Sequence, residues 1–264
     1  MSKVCIRNVT KIFPGHSAKD AAVLALDDVS FEIADREFCT IIGHSGCGKT
    51  TMLNLLAGFE QPTAGQVLVN GTAVGPPTWE RSMVFQDYAL FPWLTVEQNI
   101  SFGLEMKKIP LEARIEVIAQ QIRLVGLQGF EKRYPHQLSG GMKQRVSIAR
   151  ALSVDPQVLL MDEPFAALDA QNRSIMQEEM GRLLAQADAA LRKTMVLVTH
   201  SIEEAILLSD HVVVLSSRPG RVKEEVSVDL PRPRNEDDPR FIALRHHLRD
   251  LIHEEIAADV PTGD

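Results

Sequence analysis

Gly43-His44-Ser45-Gly46-Cys47-Gly48-Lys49-Thr50 is the stretch from which the rest of the chain is read. It fits G-x-x-x-x-G-K-[ST] without a gap. The apolar, β-rich run Phe38–Ile42 leads into it, and Lys49–Ala57 leaves it as a helix that Gly58 ends. Such an unbroken run is the pattern of a strand buried on both faces. Glycines reach backbone conformations closed to side chains, so successive N–H groups can turn into one concavity. The helix beginning there adds the positive end of its dipole, a ready site for phosphate. The candidate phosphate contacts are Gly43, His44, Ser45, Gly46, Cys47, Gly48, Lys49, Thr50 and Thr51. Lys49 would reach the β and γ phosphates of a nucleotide, and the Thr50 hydroxyl would ligate Mg²⁺. Cys47 reads as a small tolerated residue rather than a nucleophile or metal ligand.

Working outward, Val4, Ile6 and Val9 suggest an opening strand, followed by Val29–Ile33, Gly65–Val69 and Met83–Phe85, with a turn-rich stretch at Asn70–Thr78. From Leu94 to about Gln137 the β signal disappears, and Ile115, Ile118, Ile122 and Val125 mark an amphipathic helix over Glu112–Val125. A further helix carries Ile175, Met176, Met180, Leu183, Leu184 and Ala187. The strands Met195–Thr199, Val212–Leu215 and Val222–Val228 come next. Phe241–Ile256 reads as a charged helix, the heavily charged segment Arg232–Ile256 as solvated, and Val260–Asp264 as a frayed end. Strands alternating with helices around a helical block imply an α/β fold with a mainly parallel sheet and an inserted helical subdomain.

The 264 residues are 45% hydrophobic and 24% charged, an ordinary globular mix. Twenty-eight Lys and Arg against 35 Asp and Glu give a net charge of −7, which disfavours a nucleic-acid binder working through bulk positive charge. Three cysteines fit a reducing compartment better than a disulfide scaffold. The opening residues lack the pattern of a signal peptide, and no run approaches the roughly 18 apolar residues of a membrane span. Work at a membrane would require docking on another chain.

Two more segments complete the chemistry. Val158-Leu159-Leu160-Met161-Asp162-Glu163 delivers two acids at the carboxyl end of a buried strand, the edge where open α/β sheets place ligands. Asp162 would bind Mg²⁺, directly or through water, and Glu163 would orient or deprotonate the water attacking the γ-phosphate. Leu138-Ser139-Gly140-Gly141-Met142-Lys143-Gln144-Arg145 precedes a helix ending near Leu152. Ser139, Gly140 and Gly141 read either as a second anion site or as an ordinary helix cap.

With these three segments in order, from about Lys3 to Val228, the chain resembles the nucleotide-binding subunit of an ATP-binding-cassette (ABC) transporter. Leu138–Gln144 is similar to the family's signature, with Met142 where Gln is more usual. Gln86 matches the glutamine that senses Mg²⁺ and the attacking water. Phe165-Ala166-Ala167-Leu168-Asp169 resembles the D-loop, His200 matches the switch histidine at the γ-phosphate, and Phe13 falls where an aromatic stacks on adenine. The resemblance implies a P-loop core with an antiparallel β subdomain, an ATPase domain over 1–230 with a helical subdomain at about 94–155, and a charged helical extension over 231–264. It also implies ATP and Mg²⁺ as cofactors. Two subunits, taken as a homodimer, would pack head to tail, so that Ser139–Gly141 of one closes on the γ-phosphate held by the other.

The aromatic stretch from Gln86 to Val96 is either a core loop or, as the family's docking groove implies, an exposed patch for a membrane permease subunit. Phe91-Pro92-Trp93-Leu94-Thr95 and Ser217-Arg218-Pro219-Gly220-Arg221 resemble the importer subgroup for nitrate, sulfonates and taurine. That subgroup implies separate permease chains, a solute-binding protein, no nucleic-acid partner, and a peripheral place on the cytoplasmic face of the inner membrane. An exporter or lipid-transport ATPase, a soluble cassette ATPase, and a non-hydrolysing nucleotide binder are the alternatives; Glu163 argues against the last. About forty residues follow Arg221, too few for an added regulatory β-domain. Extra residues at Ala185–Lys193 suggest a lengthened surface helix.

Overall fold

In the computed structural model, which describes residues 3–15, 21–186 and 193–259, the first third of the chain forms β1 (Val4–Phe13), β2 (Val23–Ile33), β3 (Phe38–Ile42), α1 (Lys49–Ala57), β4 (Ala64–Val69) and β5 (Thr72–Ala73). There follow β6 (Arg81–Val84), α2 (Val96–Met106), α3 (Leu111–Leu124), α4 (Gly140–Ser153), β7 (Val158–Asp162) and α5 (Ala170–Gln186). The last third supplies β8 (Thr194–Thr199), α6 (Ile202–Leu208), β9 (His211–Leu215), β10 (Val222–Ser227) and α7 (Pro239–Asp259). Two compact units result: Met1–Pro77 with Gln177–Asp264, and Thr78–Met176, with α5 running across the boundary. The lengthened helix expected at Ala185–Lys193 falls largely, and the frayed end Val260–Asp264 entirely, outside the described residues.

The first unit holds two sheets. One is antiparallel, in the order β2-β1-β4-β5. In β2, Val29, Phe31 and Ile33 are buried while Ser30 and Glu32 are exposed, the alternation of a sheet with one covered face. Its register on β1 slips between Ile6 and Val9. There Asn8 and Asp28 take left-handed backbone (φ 48° and 50°), and the Asn8 amide donates to Asp28 Oδ1 at 2.8 Å. Strand β2 starts six residues before the expected Val29, because Val23 and Leu24 pair with Phe13 and Ile12 while remaining exposed. They carry pairing without the burial that would make a strand visible in sequence.

The second sheet of this unit places β3 parallel to both β8 and β9, with β10 antiparallel at the edge of β9. Every residue of β3, β8 and β9 is buried. One core cluster joins Ile42, Ala205, Ile206, Val212 and Val214 to Phe241 and Leu248 of α7. Charge density led to the expectation of a solvated terminal helix, yet Phe241 and Leu248 are both 0% exposed. Their seven-residue spacing puts them on one stripe, enough to bury a helix that is polar elsewhere.

The second unit pairs β6 and β7 in parallel, Arg81 opposite Val158. Its helices enclose Val96, Ile100, Ile122, Val125, Leu127, Leu138, Val146 and Ala149. A capping box, Thr95 with Gln98, starts α2. The stripe expected along α3 is only half used: Ile122 and Val125 are buried, but Ile115 is 60% exposed because the helix packs through its carboxyl half.

Candidate nucleotide-binding site

In the first unit, β3 ends at Ile42, α1 begins at Lys49, and the residues between form the glycine loop. Gly46 and Gly48 have φ of 80° and 92°, conformations that L side chains rarely adopt. At Gly48 a Cβ would also lie 2.6 Å from Leu26 Cδ2 and 3.0 Å from the Ala25 carbonyl, so the loop seats directly on β2. No side chain caps α1, and its first turn carries no acid, which leaves the positive end of the helix for a ligand anion. Ser45, Gly46 and Thr50 are exposed and Thr51 partly so, while Cys47 and Lys49 are buried. Lys49 Nζ, in a residue only 7% exposed, donates to the carbonyls of Gly43 and His44 at 2.8 Å each, with Cys47 Sγ at 3.8 Å. Burial pushes the Cys47 thiol up, holding it neutral beside that ammonium. A buried cation, a helix N-terminus without a side-chain cap and glycine backbone make a cradle whose chemistry fits a polyphosphate.

Phe13 ends β1, its ring partly exposed, with Lys11 Nζ 4.8 Å from the ring centre. The same ammonium donates to Glu60 Oε2 at 2.7 Å and to the Gln61 carbonyl at 2.9 Å, which fixes it. His200 follows β8 and is exposed. Its neighbours hold it in place. The buried Thr199 hydroxyl donates to Glu204 Oε2, the Ser201 amide donates to Thr199 Oγ1 at 3.1 Å, and the Gln177 amide donates to Glu204 Oε1 at 3.1 Å. Glu204 is 4% exposed. The pattern Ser201-x-x-Glu204 spells a helix start, and the Ser201 hydroxyl does accept from the Glu204 amide. The carboxylate, however, turns back to Thr199, a use the sequence does not announce.

In the second unit, Gln86 is exposed just beyond β6. Tyr88 and Ala89 then take left-handed backbone (φ 59° and 47°). The Arg150 guanidinium of α4 holds that turn, donating to the carbonyls of Ala89 at 2.7 Å and Tyr88 at 3.2 Å. Burial lowers the pKa of Arg150 and raises that of Tyr88, where Asp87 adds to the rise. Strand β7 ends in Asp162, and Glu163 has φ 43°, a strained setting for an acid at a sheet edge. Arg173 clamps the next turn, donating to the carbonyls of Phe165 at 3.3 Å and Leu168 at 3.1 Å, while its amide donates to the Asp169 carbonyl at 2.9 Å.

Ser139 caps α4, its hydroxyl accepting from the Met142 amide at 3.3 Å, and no acid follows in the first turn. A Cβ on Gly140 would lie 3.2 Å from the Tyr88 hydroxyl and 3.6 Å from Leu168 Cδ2. The Ser139–Gly141 turn, the loop after β6 and the turn after β7 therefore meet within this unit.

The aromatic stretch is a surface loop pinned from inside. Trp93 is 70% exposed, and Phe91 packs against Trp93 and Phe102, tilted 45° to each ring, with centroids 5.7 and 4.5 Å away. Beneath it the buried Asn99 accepts from the Phe91 amide at 2.9 Å and donates to the carbonyls of Phe91, Leu94 and Thr95. Asn99, Arg150, Arg173 and Glu204 escaped the sequence reading. Only Asn99 left a usable mark, as a polar residue three places after Val96 on the apolar face of α2.

Residues 26–166, more than half the chain, match the ABC transporter family. The chain is 49% identical over 254 residues to an uncharacterised ABC transporter ATP-binding protein of Methanocaldococcus jannaschii, across 96% of this chain and 92% of that one. It is 42% identical over 263 residues to the taurine import ATP-binding protein TauB of Burkholderia pseudomallei, across 97% and 98% of the two chains. Among solved structures, the dimeric post-hydrolysis state of the ATP-binding cassette MJ0796 bound to ADP and Pi superposes with a TM-score of 0.72 at 30% identity, over 86% of this chain and 99% of that one.

Proposed function

This chain belongs to the ABC transporter family, and on that premise we propose how its residues act on ATP and what the hydrolysis drives. It is an ATPase subunit that energises import of a small solute through separate membrane chains. The carrying observation is end-to-end similarity to an import ATPase, joined to a glycine loop whose buried lysine and uncapped helix suit a polyphosphate.

In this reading the Gly43–Thr51 amides and Lys49 bind the phosphates, and Phe13 stacks on the base with the ring face that Lys11 leaves open. Thr50, Asp162 and Gln86 would supply oxygen ligands of the kind Mg²⁺ takes alongside waters and phosphate oxygens. Bound there, the cation would neutralise charge building on the β and γ phosphates. Glu163 accepts a proton from the attacking water as the new oxygen–phosphorus bond forms and the bond to the bridging oxygen breaks. His200 contacts the γ-phosphate from the end of β8, where the Thr199–Glu204–Gln177 network braces the backbone beside it. Ser139, Gly140, Gly141 and Asp169 complete the partner cassette's site rather than their own. The triphosphate then favours the closed dimer, and its cleavage removes that differential affinity.

The solute is of the taurine, sulfonate or nitrate kind, delivered by a solute-binding protein to a permease whose cytoplasmic side receives the Trp93 loop. Affinity capture of the tagged chain from native membranes, with identification of co-purifying chains, tests this. Recovery of a permease supports the reading, and recovery of ribosomes or DNA instead would sink it.

A further inference from the structure

The Ser217–Arg221 stretch has so far carried no role in the chemistry, although its loop lies directly on the phosphate loop. The Gly220 amide donates to the Ala25 carbonyl and the Asp27 amide to the Gly220 carbonyl, both at 3.0 Å. A side chain on Gly220 would collide with the Cys47 carbonyl. The loop is closed internally by Ser216, whose amide donates to the Arg221 carbonyl at 2.9 Å and whose hydroxyl donates to the Pro219 carbonyl at 3.1 Å. Arg221 anchors it from outside, donating Nε to Asp27 Oδ2 at 2.9 Å and Nη2 to the same oxygen.

The two arginines of the stretch differ in use. Arg221 is paired. Arg218 is exposed and makes no hydrogen bond or ion pair among the described residues. Its guanidinium lies on Gly46: a Cβ there would be 2.9 Å from Nη2 and 3.2 Å from Nε. A docked loop thus holds an unused five-donor cation against the exposed Gly46 of a loop built to hold phosphate.

We propose that Arg218 is a further nucleotide-binding residue, donating its guanidinium to the phosphate chain held by the Gly43–Thr51 loop. The inference rests on the nucleotide reading above and adds a ligand contact to it. Gly46 then serves two purposes, since its missing side chain lets the backbone turn and lets the guanidinium approach. A planar fork suits two phosphate oxygens at once, which a lysine point charge does not.

The test is equilibrium binding of ATP and ADP to the full chain, wild type and Arg218→Ala, Arg218→Lys and Lys49→Ala, with nucleotide-free thermal unfolding measured alongside. Arg218→Ala should weaken ATP binding about tenfold, the scale of one charge-assisted hydrogen bond. Arg218→Lys should recover part of that loss, and the nucleotide-free unfolding midpoint should stay close to wild type. Two results overturn the proposal: ATP affinity within twofold of wild type in Arg218→Ala, or a large fall in the nucleotide-free midpoint that accounts for weaker binding through a loosened loop. Failure of the underlying reading looks different. Wild type would then not bind ATP, or Lys49→Ala would bind it as well as wild type.

Discussion

Glu163 combines two features that local propensity would not choose together: an acid at the end of a buried strand, and a left-handed backbone at φ 43°. Strain of this kind persists where the surroundings over-determine it, here through the Ala166 amide bonded to the Glu163 carbonyl at 3.1 Å and the Arg173 clamp one turn later. Glu163→Gln keeps the shape and removes the proposed proton acceptor. It should leave ATP affinity within about threefold of wild type while steady-state phosphate release falls by roughly 10²-fold or more. Phosphate release at the wild-type rate would remove Glu163 from the chemistry. Lys49→Ala acts at the other step. It takes away a charged donor held at the loop by two carbonyls, so titration calorimetry should show ATP binding weakened about tenfold or more.

Among the elements, α7 shows how a charged terminal helix becomes part of a site. Its Phe241 and Leu248 share a core with Ile42, the residue just before the glycine loop, and with Ala205 and Ile206 of the helix that follows His200. Its carbonyls accept from outside the helix as well: His44 Nε2 lies 3.0 Å from the Ile252 carbonyl, and Lys223 Nζ donates to the Leu251 carbonyl at 2.7 Å. The segment leading into it is latched by Arg234, whose guanidinium donates to the carbonyls of Ile206, Ser209, Val228 and Leu230. Phe241→Ala should therefore cost roughly 3–5 kcal/mol in urea unfolding, as for a core aromatic. A value below about 1 kcal/mol would return α7 to the status of a solvated appendage. His44→Ala should instead leave stability nearly unchanged and raise the KM for ATP by a few-fold with kcat little altered, because it unties from the Ile252 carbonyl the backbone whose own carbonyl holds Lys49.

For the molecule as a whole, the second unit carries two features that face solvent, the aromatic loop around Trp93 and the Ser139 cap of α4. An aromatic anchor 70% exposed, with its backbone pinned by Asn99, is the form of a hot spot at an interface. Trp93→Ala should lower recovery of the permease in pull-downs from membranes by about tenfold, with no shift in the unfolding midpoint. Unchanged recovery would move the docking surface elsewhere. Mixing Glu163→Gln with ATP and Mg²⁺ should shift sedimentation from monomer to dimer, and Ser139→Arg in the same background should keep it monomeric by placing bulk and positive charge at the proposed closure.

The glycine loop, the strand before it, the acid-terminated β7 and the Ser139 cap were legible because each is a local pattern. Backbone conformations, dipole ends and burial on both faces leave their mark within eight or ten consecutive residues. The first half of β2, the Glu204 network and the Arg150 and Arg173 clamps were not, because their partners lie in other segments or are carbonyls that every residue possesses. The burial of α7 was hidden by its charge, which dominates composition while two residues seven apart decide packing. The sequence alone therefore determined the glycine-loop pattern and the family to which the chain belongs. Only the tertiary structure decided which ordinary side chains brace that loop, and that Arg221 is paired while Arg218 is left over Gly46, since contact across distant segments has no periodicity to betray it.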